Sequence, residues 1–350
     1  MMYRRYYRNR FNPTDVVTMR WFLAALALFM ALAAAAAGVG WRLLHAPLLD
    51  AGARAEIRIP PGATARSIAK QLVASGARVH ANVIVVAATA SGVTRKLRAG
   101  RYAIEPGMTL ADMLERLRRG DVLHERFTLL EGWTLHDLRQ ALDANTDLRH
   151  DSAALDEPAL LRQVGANGAR AEGWFAPDTY LFDPGSSDID ILRRAYREQQ
   201  ERLQAAWSQR ASDLPFDDPY QALIMASLVE KETGQSAERR RIAGVLVNRQ
   251  RRHMLLQSDP TVIYGLGERY DGSLHKRDLV ADTPFNTYTR VGLPPTPIAA
   301  PGRASIEAVL DPEPTNELYF VARGDGTTEF STTLAQHNRA VDRFQRGATP

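Results

Sequence analysis

Hydrophobic and polar positions follow three different rhythms along the chain. The first is no alternation at all. From Trp21 to Trp41 run 21 residues without a charge, WFLAALALFMALAAAAAGVGW. At 1.5 Å per residue a helix of that length spans roughly 30 Å, the thickness of a bilayer's hydrocarbon core. A Trp at each end matches the aromatic belts of a membrane interface. A buried core helix is rarely uncharged for so long, and a charged leader of 20 residues is long for a cleaved signal peptide. The pattern predicts a transmembrane helix over 21–41.

After a short linker at 42–53 a period-two rhythm begins, and it repeats. IRIPPGAT (Ile57 to Thr64) is followed by Ile68 and Leu72. YAIEPGMT (Tyr102 to Thr109) is followed by Met113 and Leu117, and FTLLEGWT (Phe127 to Thr134) by Leu138 and Leu142. Each copy predicts a strand, a Gly turn and a helix. Gly62, Gly107 and Gly132 supply the turn's backbone freedom, and Thr64, Thr109 and Thr134 supply helix caps. A helical stretch at 79–91 and a strand starting at Arg98 separate the first two copies. The strand–GxT–helix unit resembles LysM-type modules, which bind N-acetylglucosamine polymers. The plainer reading is a generic βα unit used as a spacer. The repeats define a module over 54–145, and the weakly periodic 143–170 reads as a connection.

The third rhythm is helical. A helix is predicted around 188–209, then another in DDPYQALIMASLVEKETG (Asp217 to Gly234). Asp217 or Asp218 is its N-cap, Pro219 its first residue and Gly234 its stop. Residues 222–229 are apolar on all sides apart from Ser227, so this helix runs through a core. Glu230 and Glu232 then stand at its end, about 200° apart around the axis. Glu232 extends the stripe of Met225 and Val229. Desolvation and the helix dipole both raise the pKa of a carboxyl there, which suits a general acid for a glycosidic oxygen. Glu230 relates in the same way to Leu223 and Ala226. Periodicity therefore leaves the choice open, and two exposed helix-end glutamates fit the spacing equally well.

Polar, turn-rich strings follow: LQSDPTVIY from Leu256, TPFNTY from Thr283 and GLPPTPIAAPG from Gly292. Amides and Tyr rings in loops suit a polysaccharide groove, which makes Gln257, Asp259, Asn286 and Tyr288 the candidates for substrate contact. Glu172 and Asp178 in EGWFAPDTY are weaker groove candidates; beside Gly173 and Pro177, which suggest a turn, a structural hydrogen bond is the expected job.

Composition narrows the chemistry. The chain has 350 residues, 45% of them hydrophobic, and no cysteine. A disulfide, a thiolate nucleophile and a cysteine metal site are excluded. The net charge of +4 lies in the tail, where Arg4, Arg5, Arg8, Arg10 and Arg20 face Asp15. The remainder is formally neutral, so no nucleic-acid footprint is expected. Arginines before the span put residues 1–20 in the cytoplasm and everything after about 42 outside. There is no P-loop, G-x-S-x-G, H-E-x-x-H or strand-linked G-x-G-x-x-G. The eight histidines lack metal-ligand spacing, and neither a metal nor an organic cofactor is expected.

Five strings, EGWFAPDTY, SLVEKET (from Ser227), LQSDPTVIY, NTY (from Asn286) and GLPP, resemble the YceG-like (MltG) family of endolytic murein transglycosylases. The likeness covers roughly residues 20–345 in the same order of parts. It implies lytic cleavage between MurNAc and GlcNAc in nascent peptidoglycan strands, leaving 1,6-anhydro-MurNAc ends and terminating glycan growth. It implies that Glu232 is the catalytic acid/base. It implies an inner-membrane protein with a periplasmic catalytic domain, peptidoglycan strands as partner and peptidoglycan synthases as further partners. The expected fold is α+β: a cytoplasmic tail (1–20), the transmembrane helix, the LysM-like module, then a catalytic domain over 171–345. That domain is expected to have a lysozyme-like helical heart around 219–252 and β-rich additions after 256. Competing readings are a muramidase-type hydrolase and a non-catalytic, membrane-tethered glycan-binding scaffold.

Overall fold

A computed structural model describes residues 13–60, 62–95 and 97–347. The first twelve residues of the basic tail lie outside the described residues. The chain divides into two compact units, Met1–His124 and Glu125–Pro350.

The first unit opens with α1 (Pro13–His45). It carries an apolar span, Trp21–His45, with a mean hydropathy of 2.4 and none of its most apolar window buried. The predicted 21–41 thus continues for one more turn. Then come β1 (Ala55–Ile59), α2 (Ala65–Ala74), α3 (Ala81–Ala90), β2 (Gly100–Ile104) and α4 (Leu110–Arg119). β1 and β2 pair antiparallel with Ile57 opposite Tyr102. Ile57, Ile68, Leu72, Ile84, Tyr102, Met113 and Leu117 form one core. Thr64 and Thr109 close capping boxes on α2 and α4 as their sequence position predicts. Gly62 and Gly107 hold φ of +72° and +79°, the left-handed region that Gly occupies without a Cβ penalty.

The second unit contains β3 (Glu125–Leu129), α5 (Leu135–Asp143), α6 (Glu157–Val164), β4 (Asp178–Phe182), α7 (Asp188–Ser208), α8 (Pro219–Glu232) and α9 (Ser236–Arg251). It continues with α10 (Asp259–Leu266), α11 (Lys276–Val280), α12 (Arg303–Leu310), β5 (Tyr319–Ala322), β6 (Thr328–Ser331) and α13 (Leu334–Phe344). The third repeat belongs here. Its local geometry matches the other two, with Thr134 closing a capping box on α5. Its strand, however, pairs with β4, Phe127 opposite Tyr180. Phe127, Leu129, Leu138 and Leu142 pack with Phe175, Phe182 and Ile191. Within 143–170, which reads from sequence as a connection, α6 buries Leu160, Leu161 and Val164 in that same core.

α8 begins at the N-cap Asp218, whose side chain accepts from the Gln221 N–H, and buries every residue from Ala222 to Val229. Its one polar core residue is fully engaged. The Ser227 hydroxyl donates to the Ile224 carbonyl at 2.7 Å and accepts from the Ile298 N–H at 3.0 Å. α8, α9 and α12 share a core through Leu223, Leu228, Ile242, Leu246, Ile306 and Val309. The expectation of β-rich additions after 256 is not met. Among the described residues, the strands beyond that point are one hairpin, β5–β6. The intervening strings are rich in Pro, which cannot donate to a ladder, and they form short helices and loops.

Candidate active site

The two glutamates that periodicity cannot separate have different surroundings. Glu230 faces α12. Its Oε2 accepts from the Gly302 N–H at 2.9 Å and from the Ser305 hydroxyl at 2.7 Å. Arg239 lies 3.7 Å from Oε1, and the Glu230 side chain is only 6% exposed. It supplies the cap that Gly302, without a side chain, cannot, at the end of α12 where the dipole favours an anion.

Glu232 is the last residue of α8. Its Oε1 accepts a 2.5 Å hydrogen bond from the Ser258 hydroxyl. Burial pushes its carboxyl up to about 7, and the nearby Asp259 charge pushes the same way. The Ser258 bond and Arg249 pull it down. A carboxyl held near neutrality can give a proton and take one back.

Three of the four candidate contact residues cluster around this acid. Gln257 is exposed and takes a left-handed backbone, φ +50°; its side chain accepts from Arg249 at 3.3 Å. Asp259 accepts from the Tyr288 hydroxyl at 2.5 Å. The Tyr288 phenol is held well above its usual range, by burial first and by its bond to Asp259 second. Asn286 behaves differently. It is fully buried, and its amide N–H groups donate to the carbonyls of Asp278, Leu279 and Ala281. Its oxygen accepts the Tyr288 N–H at 2.8 Å. Its expected contact with a sugar gives way to an internal one, in which it ties the 278–288 loop together and sets the start of the Tyr288 segment.

Arg249 and Ser258 carry no signal in the sequence that singles them out. Arg249 is 6% exposed, with Nε donating to the Leu318 carbonyl at 2.6 Å and Nη1 to that of Leu256 at 2.9 Å. In the pattern it is one arginine of the NRQRR run. Ser258 looks like a helix start between two more conspicuous polar residues.

Glu172 and Asp178 have structural partners. Glu172 accepts from the Leu135 N–H at 3.0 Å, capping α5, and from the Tyr264 hydroxyl at 3.0 Å. Burial pushes its carboxyl up to about 7, and the Leu135 bond opposes this. Asp178 is exposed and pairs with Arg202 at 2.6 Å. Leu293 and Pro294 of GLPP line a cavity of about 660 Å³ with Gln221, Ile224 and His253. Among the described residues no three His, Asp or Glu side chains group to hold a metal ion.

The apolar α8 thus ends on a carboxyl that accepts from Ser258, with the hydrogen-bonded Asp259–Tyr288 pair beside it. The YceG-like family model matches residues 57–343, and the chain belongs to that family. It is 31% identical over 323 residues to an endolytic murein transglycosylase of Bacillus subtilis, covering 87% of this chain and 89% of that protein. A Streptococcus pneumoniae protein of the same name is 27% identical over 91% of this chain, which spans 64% of that protein's length. A crystal structure of a YceG-like protein from Listeria monocytogenes superposes with a TM-score of 0.52 at 28% identity, covering 82% of this chain and 98% of that one.

Proposed function

We propose that this protein is a membrane-anchored endolytic murein transglycosylase and that Glu232 is its acid/base. The observation that carries the reading is the Glu232 carboxyl: set at the end of an apolar helix, raised to about 7 and bound by one hydroxyl. The activity named for the Bacillus and pneumococcal relatives supports it.

Most glycosidases pair two carboxylates across the bond. A lytic enzyme can work with one. Protonated Glu232 gives its proton to the oxygen joining MurNAc to GlcNAc, and an oxocarbenium-like centre develops on MurNAc. The carboxylate then takes the proton from that sugar's 6-hydroxyl as it attacks the anomeric carbon. A 1,6-anhydro ring forms and no water is consumed. The nucleophile is intramolecular, so its effective concentration is high. Asp259 and Arg249 act in opposite directions on Glu232, which suits a group that must be acid in one step and base in the next. Gln257, Asp259 and Tyr288 are the groove contacts in this reading.

Residues 1–20 are proposed to be cytoplasmic and the second unit to lie in the periplasm, with nascent strands as substrate and peptidoglycan synthases as partners. The β1–α2–α3–β2 order supports a LysM-like first unit, and the buried 222–229 stretch of α8 supports a lysozyme-like heart. A hydrolase is the second reading, favoured by Asp259, a carboxylate close enough to perturb Glu232 and able to orient a water.

Glu232→Gln in the full chain should abolish release of anhydro-ended glycan while leaving the protein folded. A variant that solubilises strands at the parent rate ends the reading. Product masses decide between lyase and hydrolase, because an anhydro end is lighter by one water. Glu230→Gln should instead lower the amount of folded protein, because an uncharged amide oxygen caps α12 more weakly and leaves Arg239 without its charge partner, with activity per folded molecule kept.

A further inference from the structure

Ser258 is held by more than its place at the head of α10. Its N–H donates to the Thr287 hydroxyl at 3.0 Å. The Thr261 hydroxyl donates to the Ser258 carbonyl at 2.6 Å. The Thr261 and Thr287 hydroxyls are 2.9 Å apart. Each hydroxyl has one proton. Since Thr261 spends its own on Ser258, Thr287 must donate to Thr261. The result is a closed ring in which the main chain of Ser258 is gripped at both its N–H and its carbonyl. Ser258, Thr261 and Thr287 are at most 2% exposed, so no solvent competes for these bonds.

The residue just before the ring carries strain. Gln257 and His253 are the only non-glycine residues with a positive φ among the described residues. Such a backbone persists only where its surroundings over-determine it, and it clusters at working sites. Here the Gln257 N–H donates to the Thr287 carbonyl at 3.1 Å, so Thr287 holds both sides of the strained link. The one ring-side group left free to act outward is the Ser258 hydroxyl, which donates to Glu232 Oε1.

We propose that Ser258, clamped by Thr261 and Thr287, is a positioning residue that decides which carboxyl oxygen of Glu232 delivers the proton. The inference rests on the reading of Glu232 as acid/base. With Oε1 occupied as an acceptor, the acid proton resides on Oε2. The O–H bond at Oε2 breaks as a bond forms to the glycosidic oxygen, and the electron pair stays on the carboxylate. The Ser258 bond then becomes charge-assisted and stronger, at the moment when the anion must wait to act as base. The clamp keeps the donor in place throughout, so no reorganisation is needed during the reaction.

The test is a pH series on the full chain in detergent, with the Glu232 carboxyl titrated in parallel by ¹³C NMR of labelled glutamate, using Glu232→Gln to assign the signal. The charged and titratable groups facing Glu232 are Asp259, Arg249 and Tyr288, and all are retained in every variant. A hydrogen bond to a charged group is removed in Ser258→Ala. That should raise the carboxyl midpoint by about 1–2 pH units and lower kcat about 10- to 100-fold. Ser258→Thr should restore both. Thr261→Val and Thr287→Val, which leave the Ser258 hydroxyl in place, should shift the midpoint in the same direction by less. An unchanged midpoint in Ser258→Ala, or a loss of folded protein with rate and midpoint kept, overturns the proposal. An active Glu232→Gln would instead overturn the acid/base reading beneath it.

Discussion

At the scale of single residues, two carboxyls in the second unit are pushed up to about 7, Glu172 and Glu232. Only Glu232 carries a chemical step in the proposed function. Glu172 is 5% exposed, and its bonds to the Leu135 N–H and the Tyr264 hydroxyl tie α5 to α10. Its raised pKa is a statement about stability. An unfolded glutamate titrates near 4.3. Between that value and about 7 the folded state keeps a proton that the unfolded state has lost. The contribution is therefore largest at low pH and declines as pH rises to about 7. Glu172→Gln carries no such proton. Urea midpoints measured from pH 5 to pH 8 should fall more steeply for the parent than for Glu172→Gln. The gap should be on the order of 1–3 kcal/mol across that range. Parallel curves would mean that Glu172 titrates as an ordinary surface acid. Asn286 teaches the converse. Its type and its company in NTY suit sugar recognition, but no local pattern tells whether an amide faces a groove or the loop that carries it. That depends on three carbonyls, at Asp278, Leu279 and Ala281, turning toward one point.

At the scale of elements, local rules are legible wherever one segment carries its own signal. The Gly–x–Thr turns, the caps Thr64, Thr109 and Thr134, and α8 with its Asp218 cap all follow from neighbours in sequence. Pairing is not legible. β3 looks like β1 and β2 but finds its partner in β4, about 50 residues on, and nothing within FTLLEGWT announces this. Nor does a Ser at the head of α10 reveal a ring closed by Thr287. Glycine shows the same divide between local and long-range causes. Gly107 and Gly173 have nearly equal φ, +79° and +78°. A Cβ on Gly107 would meet open space, whereas one on Gly173 would lie 2.5 Å from the Pro297 side chain. Gly107→Ala should therefore lose about 1–2 kcal/mol, the left-handed penalty alone. Gly173→Ala adds overpacking against a rigid ring, about 1–3 kcal/mol more, and separates EGWFAPDTY from the TPIAAP segment. Denaturant midpoints of the two variants check this, and equal losses would show that Pro297 gives way freely.

At the scale of the whole molecule, the first unit carries a membrane-length helix and the second the proposed acid/base. α1 is uncovered along its most apolar window. A span of this length and composition is compatible with a bilayer, which would cover about 20 apolar residues otherwise exposed to water. Its continuation to His45, followed closely by the fully buried Leu48, leaves little slack before the first unit's core begins. The first unit should therefore stay near the bilayer surface, where newly made strands emerge in the proposed function. Removal of residues 1–45 should move the protein from the membrane pellet to the soluble fraction of a cell lysate. Activity on detergent-dispersed, uncrosslinked glycan should stay within a few-fold of the full chain, since Glu232, Ser258, Asp259 and Tyr288 all lie beyond the deletion. Activity on strands still attached to membranes should fall much further, because the anchor no longer concentrates enzyme and substrate on one surface. Fractionation followed by product analysis on the two substrates separates these effects. An equal loss on both would assign α1 a part in the folded enzyme itself rather than in bringing it to its substrate.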